Sequence, residues 1–353
     1  MTVIPPAGAD GRGGGVQEGE RTPVWLMRQA GRYMPEFRAY SDKYPFRHRS
    51  ETAEIATELS LQPWRAFRPD GVIMFSDILT PLPGLGIEFD VVKGKGMVIP
   101  EPVRTAAQVA RLTPLEDPTR THAFVGETLG NLRREVGGEA TVLGFVGTPW
   151  TLAAYAMEGG AQRHCRATKE IMTQEPAVLH ALLAHLAAQL VTYVSYQVQS
   201  GAQVVQLFDS WAHHLTPAQF REFSLPYVQR VVAGVRALHP EVPLIFYANG
   251  GTGKLADLKA AGADVVGLDW GVDMADARAA LGPDVRVSGN LDPMVLFAPE
   301  ETIRAAVADC LAQAGPRGHI LNVGNGIIQG TPPEAVGLVC DLARASGKVS
   351  VGV

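Results

Sequence analysis

Cysteine is scarce in this chain: there are three in 353 residues, Cys165, Cys310 and Cys340, far apart and in no Cys-x-x-Cys or His-x-Cys spacing. That scarcity argues against a disulfide framework and a zinc site, and for a reducing, cytoplasmic compartment. Charge is modest too. The 36 acidic side chains outnumber the 31 basic ones for a net of −5, which leaves no general basic surface for nucleic acid. Long apolar runs are also wanting: the most hydrophobic stretch, residues 141–157, is interrupted by Gly147, Pro149 and Thr151, so no membrane span is expected. The first twenty residues have neither a charged-then-apolar order nor a hydrophobic pattern. Rich in Gly and Pro, they read as a disordered tail and not as a signal peptide, with residues 21–353 as a single domain.

What the chain does have is apolar content, at 46%, enough for a large core. Short β-type segments recur at residues 23–28, 71–76, 142–147, 204–208, 243–247, 265–268, 285–288 and 319–323, separated by helical stretches. Eight such βα units at this length favour an α/β fold closed as a (β/α)8 TIM-type barrel over an open doubly wound sheet. Residues 91–98 read as a β-hairpin inserted after the second strand.

Basic charge is concentrated in one window. Residues 21–49 hold seven Arg or Lys and two acids, a balance of +5, so the remainder of the chain sums to −10. A basic island in an acidic protein suits a local anionic ligand. Arg28 and Arg32 sit four apart within it, beside an amide and a glycine, at the end of an apolar run. Arginine forks capture carboxylates bidentately; solvated arginines at an exposed helix start are the plainer alternative.

Active sites of such barrels lie at the C-terminal ends of the strands, where Arg28, Gln29, Asp77, Ser210, Asn249, Asp269, Asn290 and Asn325 follow apolar runs. Some of these must be ordinary caps and turn residues. Asp77 stands out, since residues 72–76 would bury its strand and present its carboxylate to a cavity where arginines keep it ionised. Its competing role is an N-cap near Leu79. His213-His214 and His164-Cys165 lack further ligands for a metal, residues 250–254 suit a strand-to-helix turn, and Trp150 and Trp211 fit core and cleft wall equally.

The wording of the basic window, Val24-Trp25-Leu26-Met27-Arg28-Gln29-Ala30-Gly31-Arg32-Tyr33, resembles the N-terminal signature of the uroporphyrinogen decarboxylases. Phe75-Ser76-Asp77-Ile78-Leu79, Gly144-Phe145-Val146-Gly147-Thr148-Pro149-Trp150-Thr151, Gly289-Asn290-Leu291-Asp292-Pro293 and Gly330-Thr331-Pro332 resemble the family in order as well. The resemblance implies removal of CO2 from the four acetates of uroporphyrinogen III, giving coproporphyrinogen III, without cofactor or metal, in a homodimer. It implies Asp77 and Arg28 as catalytic residues, with substrate contacts from Arg28, Gln29, Ala30, Gly31, Arg32, Asp77, Tyr155, Ser210 and Asn325. Tyr155 in an apolar helix start and Ser210 before Trp211 also have plain structural readings. Two other functions compete: a corrinoid-linked methyltransferase on the same barrel, which would need a thiolate zinc site, and a non-catalytic tetrapyrrole-binding protein. The chain departs from the family's pattern at Asn325, where histidine is usual; flanking Gly324 and Gly326 are expected to free its backbone for an unusual conformation.

Overall fold

A computed structural model describes residues 21–92 and 94–346; the expected N-terminal tail lies outside them. Among the described residues there are nine strands: β1 (Gly71–Ile73), β2 (Asp90–Val92), β3 (Gly96–Val98), β4 (Thr141–Gly147), β5 (Val204–Asp209), β6 (Leu244–Ala248), β7 (Val265–Gly267), β8 (Arg286–Leu291) and β9 (His319–Val323). Seven form one parallel sheet in the order β1-β4-β5-β6-β7-β8-β9, and β2 and β3 form the expected antiparallel hairpin. Each of the seven follows the one before it in the chain, the hairpin aside, as βα repeats require.

The first expected strand, residues 23–28, is reduced to a bridge. Val24 pairs in parallel with Leu321 on β9, and the Asp70 N–H, just before β1, donates to the Val24 carbonyl at 2.8 Å. The segment therefore spans the gap between β9 and β1 and holds the eighth stave of the ring. It forms no ladder because Pro23 has no N–H and the Val24 N–H is taken by the Asp70 carboxylate at 2.8 Å, which also pairs with Arg21. After Trp25 the chain turns, with the Gln29 N–H donating to the Leu26 carbonyl at 2.9 Å.

β4 and β5 are buried along their whole length, as expected of parallel strands covered on both faces. The helix Pro176–Gln199 corrects one expectation, since by length and composition it could cross a membrane. Here Leu179, Leu182, Leu183, Leu186 and Leu190 are fully buried and the helix packs on Leu225–Leu238 and Pro149–Glu158, so it serves as a core helix of the barrel. Alanines and leucines all round it, with no charged residue, give it that composition.

Candidate active site

A cleft of about 740 Å³ opens at the C-terminal ends of the strands, in the upper part of the ~300–1,000 Å³ range of small-molecule pockets. Its floor is aromatic. Phe145 (β4), Phe208 (β5) and Tyr247 (β6) meet edge-on, with ring centroids 5.7 and 5.8 Å apart. Polar and charged groups share the cleft with this apolar floor, so that an apolar ring system with ionised arms would find a surface for each part.

Arg28, Ala30, Gly31, Arg32, Asp77, Tyr155, Ser210 and Asn325 all line this cleft. Gln29 does not. It is buried, its side-chain carbonyl accepts from the Leu26 N–H (3.1 Å) and its amide donates to the Gly71 carbonyl (3.0 Å), strapping the arginine turn to β1. The amide that the sequence places beside a carboxylate ligand is instead consumed by backbone. Asp269 and Asn290 are consumed likewise. The Asp269 carboxylate accepts from Gly250, Gly251 and Gly271 N–H groups, which shapes the strand-to-helix turn at 250–254, and Asn290 donates to the Asp269 and Val272 carbonyls.

The arginine turn is held from β9: the Met27 N–H donates to Asn322 Oδ1 at 2.8 Å and the Ile327 N–H to the Met27 carbonyl at 2.9 Å. Arg28 itself adopts a left-handed backbone, φ 59°, a conformation that costs roughly 1–2 kcal/mol for a residue with a Cβ. Neither Arg28 nor Arg32 has an acidic side chain within ion-pair distance among the described residues. Two open guanidiniums facing one cleft are poised for an anionic ligand. Arg32→Lys keeps the charge but loses the fork, so KM for a polycarboxylate substrate should rise about tenfold, ~1.4 kcal/mol, with kcat less affected. Steady-state kinetics check this, and an unchanged KM would place Arg32 outside the substrate's reach.

Asp77 lines the cleft and also shapes a turn, but among the described residues no helix begins near Leu79 for it to cap. Oδ1 accepts from the Leu79 N–H at 2.8 Å, forming an Asx-type turn, while Oδ2 has no protein partner among the described residues. Burial pushes the carboxyl up to about 6, and the Leu79 N–H and the nearby Arg28 charge offset this only in part. The expectation that arginines simply keep it ionised is thus too strong, for desolvation outweighs them. Tyr155 shares this field: burial raises its phenol above the ordinary range, and both the Asp77 and Arg28 charges act on it.

Tyr155 and Ser210 are aligned by a buried carboxylate that the sequence does not flag as structural. Asp209, at the end of β5 and fully buried, accepts from Thr148 Oγ1 and Thr151 Oγ1 at 2.8 Å each and from Ser224 Oγ. Thr148 caps the helix that carries Tyr155, and Thr151 Oγ1 in turn accepts from the Trp211 N–H. Trp150 is core, donating to the Trp211 carbonyl, whereas Trp211 forms cleft wall and lies 4.3 Å from the Tyr155 ring.

The glycines around Asn325 act differently from the expectation. Neither Gly324 nor Gly326 has a positive φ. They are needed for close approach: a Cβ on Gly324 would lie 2.2 Å from the Trp270 nitrogen, and one on Gly326 2.2 Å from Arg28 Cδ. Asn325 Oδ1 accepts from the Gly326 N–H at 2.7 Å, which leaves the amide nitrogen for the cleft.

Sequence reasoning also passed over Arg49, His213 and the aromatic floor as site residues, although all line the cleft. An aromatic residue near the C-terminal end of each of β4, β5 and β6 could have pointed to the floor; His213, which is exposed and 3.1 Å from Asn249, carries no such signal.

Residues 15–346 match the family model described as uroporphyrinogen decarboxylase (URO-D). The chain belongs to the uroporphyrinogen decarboxylase family. Among curated members, the uroporphyrinogen decarboxylase of Picosynechococcus is 54% identical over 318 residues, covering 90% of this chain and 91% of its own. That of Gloeobacter violaceus is 53% identical over 330 residues, covering 94% and 95%. Among solved structures, a methyltransferase from Methanosarcina mazei superposes with a TM-score of 0.73 at 18% identity, over 92% of this chain and 94% of its own. A B12-independent methionine synthase from Shewanella follows at 0.57 and 12%, over 93% and 94%. These two likenesses are of fold, and the family's sequence kinship lies with the decarboxylases.

Proposed function

We propose that this cleft removes CO2 from the acetate arms of uroporphyrinogen, leaving methyl groups and yielding coproporphyrinogen. The observation that carries the reading is Asp77, a half-buried carboxylate in a cleft edged by Arg28 and Arg32, one of whose oxygens has no partner among the described residues. Loss of CO2 leaves an electron pair that needs a sink, and a pyrrole protonated at the α-carbon beside the acetate provides it. Asp77 Oδ2 accepts the pyrrole N–H and stabilises the cationic ring, while Arg28 and Arg32 hold carboxylates in place. The C–CO2 bond then breaks into the ring. The exocyclic methylene takes one proton, and the α-carbon returns the one it gained. Arg28 acts first as an orienting group, since a guanidinium is a reluctant acid at neutral pH. Tyr155, Ser210 and the Asn325 amide supply hydrogen bonds to the substrate.

Anaerobic incubation with chemically reduced uroporphyrin, in the presence of chelator, tests the reading through chromatographic counting of product carboxylates. Conversion from eight carboxylates to four supports it; tight binding without CO2 release marks a carrier, and activity restored only by zinc marks the methyltransferase chemistry. A homodimer is supported by exposed Trp270, Met294, Phe297 and Ile328, which follow β7, β8 and β9 at the mouth of the barrel; the solution mass from light scattering checks it. A reducing, cytoplasmic setting is supported by the three free, buried cysteines.

Asn325→His should change kcat/KM by less than about tenfold, because asparagine and a neutral imidazole both donate an N–H to substrate. The variant should add a titration near the usual histidine value of about 6.5. Rate profiles of both proteins between pH 5.5 and 8.5 decide this. A histidine variant more than tenfold faster throughout would make Asn325 a defect of this chain.

A further inference from the structure

One charged group in the cleft has no part in the mechanism above. Arg49 lies in the helix Phe46–Glu51 and is 8% exposed, yet it lines the cleft. Its guanidinium stands over three rings, Phe37 and Phe46 at 5.5 Å and Phe75 at 5.7 Å. Nε donates to the Tyr44 carbonyl at 3.0 Å, and the two terminal nitrogens have no hydrogen-bond or ion-pair partner among the described residues. A largely buried guanidinium whose open fork borders a cleft is suited to an anion that enters it.

We propose that Arg49 is a third substrate arginine, taking a propionate carboxylate of the tetrapyrrole; this rests on the decarboxylase reading. Arg49 stands on the helix Phe46–Glu51 and not at a strand end, over Phe37, Phe46 and Phe75, whereas Arg28 is the arginine whose charge reaches Asp77. Substrate chemistry then selects the arm. Uroporphyrinogen carries one acetate and one propionate on each pyrrole, and by the fourth decarboxylation the only acetate left is the one reacting. A substrate carboxylate held away from that acetate in that round is a propionate. The three rings around Arg49 also suit the two methylenes of a propionate arm, and the rings stiffen the fork that receives its carboxylate. Because propionates survive in the product, this contact is made equally before, during and after CO2 loss. It therefore contributes to binding and not to the chemical step.

The test uses pentacarboxyporphyrinogen, which has a single acetate, and coproporphyrinogen, which has none. Arg49→Gln should raise KM for the former about tenfold, with kcat falling less than threefold, and should raise the Kd of the latter by a similar factor. An unchanged KM and Kd overturns the assignment. So does a raised KM with an unchanged Kd, because the contact would then be to an acetate, and so does a loss confined to kcat. If Arg49→Gln does not fold, Arg49→Lys is measured in its place: KM and Kd both raised at least threefold supports the assignment, and both unchanged overturns it. A wild-type protein that binds coproporphyrinogen without decarboxylating anything would sink the decarboxylase reading, while the Kd comparison would still judge Arg49.

Discussion

Asp77→Asn should reduce kcat by roughly 10²–10³-fold, the usual size for removing one preorganised electrostatic group, while leaving the fold intact. The amide can still accept the Leu79 N–H through its oxygen, so the turn survives and only the negative charge is lost. Stability should move the opposite way. The folded carboxyl sits at about 6 against 3.8 for the free side chain, so the native state favours its protonated form. Its contribution to stability is fully present below about 3.8 and is lost as pH rises through about 6. Two units correspond to about 3 kcal/mol; water reaching a half-buried group reduces this to ~1–2 kcal/mol. The variant is therefore expected to melt higher than wild type at pH 7.5 and equally at pH 4, a gain in stability set against function. A variant within threefold of wild-type kcat would leave Asp77 as a turn residue alone.

Gly326→Ala should cost about 10–10²-fold in kcat/KM with little loss of folded protein. The added methyl would lie 2.2 Å from Arg28 Cδ and 2.7 Å from Cγ, so the Arg28 side chain must leave its course across the cleft. A displacement of about 1 Å in a positioning group is enough for an effect of this size. Gly324→Ala is the control. Its methyl would meet the backbone of Trp270 and Asp269, which cannot swing aside, and the expected loss there is of Tm. Equal activity losses at both positions, with equal melting behaviour, would contradict the distinction.

Much of the barrel was legible because seven runs of β-branched and aromatic residues are long enough to stand out between helices. The eighth was legible in place but not in form: Pro23 lacks the donor a strand needs, and the Val24 N–H is taken by the Asp70 carboxylate 46 residues away. Residues 167–200 were legible as a long helix, but not as one of membrane length, because the apolar character of Pro176–Gln199 is spread over 24 residues with histidines and glutamines among them. In the site, residues at strand ends were legible from their order alone. Gln29 and Asn290 fit the same pattern and prove structural, since only the folded chain shows which carbonyls they reach. Arg49 was legible as part of a basic island and not as cleft wall, because Phe37, Phe46 and Phe75, from three separate segments, determine where its guanidinium stands. The desolvation that raises Asp77 is likewise a property of the assembled cleft.

The central claim is that an ionised Asp77 stabilises the cationic pyrrole, and the acid limb of kcat/KM tests it most directly. For the wild type, kcat/KM should hold level above about pH 7 and fall tenfold per pH unit below about 6, where the carboxyl protonates. The residual activity of Asp77→Asn should show no such limb. A wild-type profile flat from pH 5.3 to 7.5, or a limb retained in the asparagine variant, would contradict the account.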